Sequence, residues 1–383
     1  MDVTSELPQS YNSNRHKEDL NLYTIFKEIS DFRRKQGRQH ELPEILLITT
    51  MALMSGYNGI RAIGDFITKH NEELLSILKP RKNMLPSFQT IWRVISNIEF
   101  EKLNMAFIKW SRKYIGTIKG KEYFSIDGKA IGGTVINPHN KFQQYTNLVS
   151  IFWNRRKQVL CFDKVNDRGG EIPIVKNLIK ALDLEGVIFT LDALHCQKET
   201  VKTIIKSKND YIIGVKGNQK KLHYQIKENI NKSIPLDIDK KSKMNRGRNE
   251  TRLAEVYDNI DDISYEWTGL KSIIKIERFV GRQNKKTKEI AYYISSLSPD
   301  TGAEEFNKAI RDHWSIENSL HYIKDKTFKE DESKIKTKHA PQNMSTIRNI
   351  AINIFRKNGY GNMAQAIRLV ANDLYKLFNM ILA

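Results

Sequence analysis

Three carboxylates in this sequence stand where carboxylates can act together. The apolar run Phe124-Ser125-Ile126 ends in Asp127 and turns at once on Gly128, and the run Val187 to Leu191 ends in Asp192. Far downstream, Glu317 sits in a helical pattern. An Asp-Gly pair after a strand is often only a turn, so the second aspartate and the glutamate carry most of the signal. With Glu317 set at zero on a helix of about 100° per residue, His313, His321 and Lys324 fall within about 40° of it, beside the apolar stripe Ile316, Leu320 and Ile323. Such a helix, packed on a sheet, would deliver its glutamate toward both aspartates. Three carboxylates brought together repel one another and raise at least one pKa unless a divalent cation neutralises them. Mg²⁺ is the natural occupant, with Mn²⁺ as a substitute, because it prefers oxygen ligands and shares its shell with phosphates. His313 and His321 read as polar helix residues rather than ligands for the same reason. The chemistry open to such a cluster is in-line attack at phosphorus by water or a 3′ hydroxyl.

The elements that must position these groups are legible in outline. Residues 1–20 are polar and unpatterned, which predicts a mobile arm, and residues 21–118 follow a helical period. Gly56-Tyr57-Asn58-Gly59 and the stretch from Pro80 to Pro86 separate helices, and Ser87 is placed to cap another. The pattern fits either a helix-turn-helix DNA reader or a bundle that supports the next domain. From Tyr123 the period changes to that of strands: Tyr123 to Asp127, Asn147 to Trp153 and Val159 to Val165 form a meander. Pro173 to Leu182 and Gln197 to Ser207 read as helices alternating with strands at Val187 to Leu191 and Tyr211 to Val215. The fold class is therefore α/β, a mixed sheet with flanking helices and carboxylates at its strand ends. Residues 220–290 read as a β-rich insertion that divides the core into 119–219 and 291–383, and a helix is expected over 302–326.

Lys plus Arg number 63 against 44 Asp plus Glu, a formal net charge of +19 that favours a polyanionic partner, nucleic acid first. Cys161 and Cys196 are the only cysteines, so neither a disulfide framework nor a cysteine-based zinc site is expected, and a reducing cytoplasm fits. No apolar run is long enough for a membrane span. Basic and amide groups near the carboxylates are candidate phosphate contacts. Lys129 follows the first aspartate; Lys216, Asn218 and Gln219 either end a strand in a turn or orient phosphate; Arg246 and Arg248 flank a glycine in an arginine clamp. Trp314 suits either a core or stacking on a displaced base.

Four motifs in order, Asp127-Gly128-Lys129, Asp192 to Gln197, Asp210 to Gln219 and Arg311 to Asn318, together resemble the DDE transposases of bacterial insertion sequences, in the H-repeat-associated branch. The similarity runs from about Asp31 to Phe355 and includes Phe328-Lys329-Glu330-Asp331. It implies a ribonuclease H-like core, a helical N-terminal region that helps bind element ends, and a β-rich insertion before the catalytic glutamate helix. Asp127, Asp192 and Glu317 would be the metal-binding catalytic triad. Lys324, seven residues after Glu317, stands where the wider superfamily places a DNA-contacting lysine. That superfamily also expects an arginine and a tyrosine where His313 and Ile310 stand here, and the resemblance implies His313 and nearby Arg311 as DNA contacts. The implied activity is cleavage at terminal inverted repeats and strand transfer to target DNA, by a homodimer or larger assembly on double-stranded DNA, in the cytoplasm and at the nucleoid when bound. A nuclease of the same core, or a domesticated DNA-binding protein without catalysis, would keep the same motifs.

Overall fold

The β-branched and aromatic runs between residues 123 and 295 form one nine-stranded sheet in the computed structural model, which describes residues 21–113, 115, 120–136, 138–139, 143–165, 170–245, 248–282 and 285–383. The arm expected over 1–20 lies outside the described residues. The N-terminal helices are α1 (Leu22–Lys27), α2 (Leu42–Met54), α3 (Ile60–Lys69), α4 (Asn71–Leu78), α5 (Phe88–Asn97) and α6 (Phe100–Arg112). Then come β1 (Tyr123–Ile136), β2 (Gln144–Trp153), β3 (Gln158–Lys164), α7 (Glu171–Leu182), β4 (Ile188–Leu191), α8 (Lys198–Lys206), β5 (Asp210–Val215) and α9 (Lys220–Asn231). The chain continues through β6 (Asp237–Asn245), β7 (Arg248–Tyr257), β8 (Ser272–Arg282) and β9 (Lys285–Ser295). It ends with α10 (Ala303–His313), α11 (Tyr322–Lys326), α12 (Ala340–Lys357), α13 (Met363–Val370) and α14 (Leu374–Leu382).

Strands β1 to β3 form the expected antiparallel meander, and β4 and β5 run parallel to β1 through the crossover helices α7 and α8. The resulting order, β3-β2-β1-β4-β5, is a ribonuclease H-like core. β9 pairs antiparallel with β5, and β8, β7 and β6 continue the same sheet outward. The β-rich stretch is thus an extension of the core sheet; β9 straddles the expected boundary at 290/291, and α9 opens the stretch with Leu222, Ile226 and Ile230 buried at helical spacing. A second correction concerns β1. It does not end at Asp127 but runs on through Gly128 to Ile136, because β2 keeps pairing with it from Phe124↔Trp153 to Ile131↔Thr146.

Alternation along the strands gives each face its own cover. Phe124, Ile126, Phe189 and Ile213 pack with α7, α8 and α9 on one face. On the other, Ile188 and Ile212 meet Phe306 and Ile310 of α10. Leu148, Phe152 and Phe162 on that same face join a core that takes in α1 to α6 and α12 to α14. The C-terminal helices therefore share the N-terminal helices' core. Every residue of α2 except Glu44 is buried, which makes it the centre of the helical bundle. Ser87 caps α5 as expected, its hydroxyl accepting the Thr90 amide at 3.4 Å. α12 buries polar side chains that end other elements: Asn343 donates to the Ile95 and Ile98 carbonyls, each at 2.9 Å, and Asn353 accepts from the Val159 amide at 2.9 Å while donating to its carbonyl at 2.7 Å.

Candidate metal centre

Register sets two aspartates side by side. The parallel pairing of β1 with β4 ends at Ile126↔Leu191, so Asp127 and Asp192 follow on neighbouring strands. There the strands diverge. Asp127 stays in the ladder opposite Ser150, whereas Asp192 accepts the Leu194 amide at 3.2 Å and caps a 3₁₀ turn over Ala193–His195. Gly128 makes no turn: it stays in the ladder opposite Val149, with the Glu171 carboxylate lying over it. Glu171 in turn lies 3.5 Å from Nε2 of buried His195, which is 3.8 Å from Asp192 Oδ1.

The glutamate arrives on an interrupted helix. α10 ends at His313, Trp314 is its C-cap, and a π turn spans Glu317–His321 before α11 begins. A π turn closes i→i+5 and holds one more residue than an α turn, a feature frequent at functional sites. Ile316 and Leu320 are buried and pin the turn to the core, leaving Glu317 exposed over β1. His321 Nδ1 is 2.9 Å from Glu317 Oε2 and 3.7 Å from Asp127 Oδ2. Asp127, Glu317 and His321 offer ligand atoms that all lie within 4.8 Å of one another.

Asp192 stands just outside that group but lines the same cleft, about 380 Å³ in volume, with Asp127, Glu317, His313 and Trp314. Burial raises the Asp127 carboxyl, His321 and the Gly128 amide oppose the rise, and Asp192 and Glu317 add to it, so it sits at about 6. The hydrogen bond with His321 holds Glu317 below its ordinary range. Desolvation pushes His313 down to about 4, against the pull of Asp192, so it is neutral near pH 7 and shares a 3.0 Å hydrogen bond with Thr190 Oγ1. The surplus of negative charge where these carboxylates meet suits a divalent cation. His321, set aside in the sequence as a polar helix residue, is the group this geometry adds.

The expected phosphate contacts divide sharply. Lys216 is exposed and lines the cleft, and Arg311 is exposed on α10. Asn218 and Gln219 are engaged elsewhere: Asn218 Nδ2 donates to the Ala193 carbonyl at 2.6 Å and Gln219 Nε2 to the Cys196 carbonyl at 2.9 Å, bracing the turn after Asp192. Lys129 and Lys324 are corrections. The Lys129 side chain is only 9% exposed, with Nζ 2.7 Å from Asp325 and 3.0 Å from Asp331. Lys324 is 2% exposed, with Nζ 3.2 Å from Glu330 and 2.6 Å from Ser345 Oγ. Buried cations paired inside the protein cannot reach phosphate in this conformation. Arg246 lies outside the described residues, and Arg248 begins β7 opposite Asn245. Trp314 is 62% exposed on the cleft, which settles its side chain as a surface feature rather than core filling.

Comparison with known proteins shows the family. Residues 119–354 match the family described as "Transposase DDE domain", and residues 23–111 match the region described as "DDE_Tnp_1-associated". "Putative transposase YncI" of Escherichia coli O157:H7 is 35% identical over 348 residues, covering 88% of this chain and 87% of that protein. "H repeat-associated putative transposase YhhI" of Escherichia coli K12 is 34% identical over 346 residues, covering 85% and 88%. Among solved structures, the piggyBac transposase synaptic complex with hairpin DNA aligns at a TM-score of 0.45 and 12% identity, over 95% of this chain and 77% of that one. With the family match spanning more than half of its length and these relatives spanning nearly all of it, the chain belongs to the DDE transposases, alongside the H-repeat-associated proteins.

Proposed function

We propose that the chain binds the terminal inverted repeats of its insertion sequence, cuts DNA there in a metal-dependent reaction and joins the ends to target DNA. The observation that carries this reading is the convergence of Asp127, Asp192 and Glu317 on one cleft, with the Asp127 carboxyl raised to about 6 by burial and its acidic neighbours. Asp127 and Glu317 would hold Mg²⁺, or Mn²⁺ in its place, with Asp192 completing the oxygen set. His321 Nδ1, 2.9 Å from Glu317 Oε2 and 3.7 Å from Asp127 Oδ2, keeps the Glu317 carboxylate turned toward Asp127. When bound, a divalent cation polarises phosphate and activates water or a 3′ hydroxyl.

The chain's other residues shape the substrate site. Lys216 meets phosphate at the cleft rim, and Trp314 offers a stacking face for a base displaced at the cut end. Arg311 extends the basic surface along α10, and His313, neutral near pH 7, fixes the wall beneath Trp314 through Thr190. The helical region at 21–118 would help bind element ends, on a chain whose net charge of +19 favours DNA. Synapsis of two ends calls for a homodimer or larger assembly on DNA, at the nucleoid. The decisive assay incubates the full chain and Mg²⁺ with linear DNA carrying the inverted repeats that flank its gene, together with a circular target. Joined products absent from the Asp127→Ala protein support the reading. Nicks without joining would make it a nuclease, and binding without cleavage a domesticated DNA-binding protein.

A further inference from the structure

Behind the metal centre, a second set of charges ties the strand that carries Asp127 to the helix that follows Glu317. Glu330 is fully buried, with Oε2 3.2 Å from Lys324 Nζ and 3.7 Å from Lys129 Nζ, and Oε1 3.5 Å from Arg348 Nη1. Lys129 lies two residues beyond Asp127 on β1 and points to the same face. Lys324 lies on α11, seven residues beyond Glu317, and Arg348 comes from α12. One carboxylate therefore joins three elements. Its loop is fixed on both sides. The Glu330 amide donates to the Lys324 carbonyl at 2.9 Å, and Asp331 Oδ1 accepts the Gly132 amide at 2.8 Å and the Lys129 ammonium at 3.0 Å. A β-carbon at Gly133 would overlap the Ser333 carbonyl oxygen, so the glycines of β1 are the seat on which this loop lies. Phe328, buried in the apolar core, and its carbonyl, which accepts from Arg348 Nε at 3.3 Å, hold the loop's other end.

We propose that the loop from Phe328 to Ser333, with Glu330 as its hub, is a clamp that sets the approach of Glu317 to Asp127 and so makes Glu330 a positioning residue of the metal centre. The proposal rests on reading the cleft as a metal site. Glu317 sits on a π turn, and α11 is only five residues long, so the turn needs an outside restraint. Glu330 supplies it from the α11 side, just as partners behind a metal ligand fix the ligand's orientation.

The test compares the full chain with its Glu330→Gln and Asp331→Asn proteins. Amide hydrogen exchange over residues 317–326 reads the restraint, and titration calorimetry with Mn²⁺ reads the site. Exchange over 317–326 should rise in both variants, and Mn²⁺ affinity should fall on the order of tenfold in Glu330→Gln and less in Asp331→Asn. Raised Mn²⁺ should restore DNA cleavage by Glu330→Gln, which a globally destabilised protein would not show. If Glu330→Gln fails to fold, Asp331→Asn, altered at a half-exposed carboxylate, decides. Exchange over 317–326 and Mn²⁺ affinity both unchanged in the folded variants would overturn the clamp. If the parent protein binds no Mn²⁺, the metal reading fails, and exchange alone decides whether the clamp restrains the turn.

Discussion

Two charge clusters lie side by side along one face of β1, and the protein treats them in opposite ways. Around Glu330, burial pushes the carboxyl up, but Lys324, Arg348 and Lys129 together hold it at about 2. Around Asp127, two residues before Lys129, burial is joined by Asp192 and Glu317, and the carboxyl sits at about 6. The first cluster is complete within the chain. The second carries more negative charge than His321 can balance. A fold that buries one carboxylate among three cations could have balanced the other as well, so the imbalance in the cleft marks the place for a partner from outside.

Substitution of the two clusters should therefore give opposite results. The largest effect is on activity: Asp127→Asn, Asp192→Asn or Glu317→Gln should each abolish Mg²⁺-dependent cleavage, while mobility-shift assays show element ends still bound. Full strand transfer by any of them would remove that residue from the metal site. Next, Glu330→Ala should cost about 3–5 kcal/mol in chemical denaturation, because it leaves the buried Lys324 and Arg348 without their carboxylate; a loss below about 1 kcal/mol would erase the contrast. Third comes the pH response. The Asp127 carboxyl sits at about 6 in the fold against an ordinary 3.8, so the folded state holds this proton more tightly than the unfolded chain. The group's contribution to stability is present below pH 3.8 and lost as pH rises through about 6. Without metal, Asp127→Asn should accordingly be more stable than the parent near pH 8, by about 2–3 kcal/mol, with the gap closing below about pH 4. Thermal melts across pH check it, and a gap that widens on acidification would have the wrong sign. Smallest, Trp314→Ala should shift stability by no more than about 0.5 kcal/mol. It should weaken binding to DNA with an unpaired end base by about 1–3 kcal/mol and leave fully paired ends unaffected.

Much of this was written in local sequence. Apolar runs closing on Asp127 and Asp192 gave the central strands, and the helical period gave α10 with its buried Phe306 and Ile310. Three things were not local. The continuation of β1 past Gly128 depends on β2, and the Glu171 carboxylate that lies over the glycine comes from a helix more than forty residues away. The π turn is marked by no local signal, and beyond it Lys324 turns inward while buried His321 stays against Glu317. The sequestration of Lys129 and Lys324 depends on Glu330, Asp331 and Arg348, whose convergence no spacing rule conveys. A lysine near a catalytic carboxylate reads as a phosphate contact until its counter-charge is located.

The most direct measurement is anomalous diffraction from crystals grown with Mn²⁺. The expected result is a peak within ligand distance, roughly 2.0–2.3 Å, of carboxylate oxygens from Asp127 and at least one of Asp192 and Glu317. An ion bound only elsewhere, or a cleft that stays empty at Mn²⁺ concentrations that support cleavage, would contradict the assignment of this cluster as the metal centre.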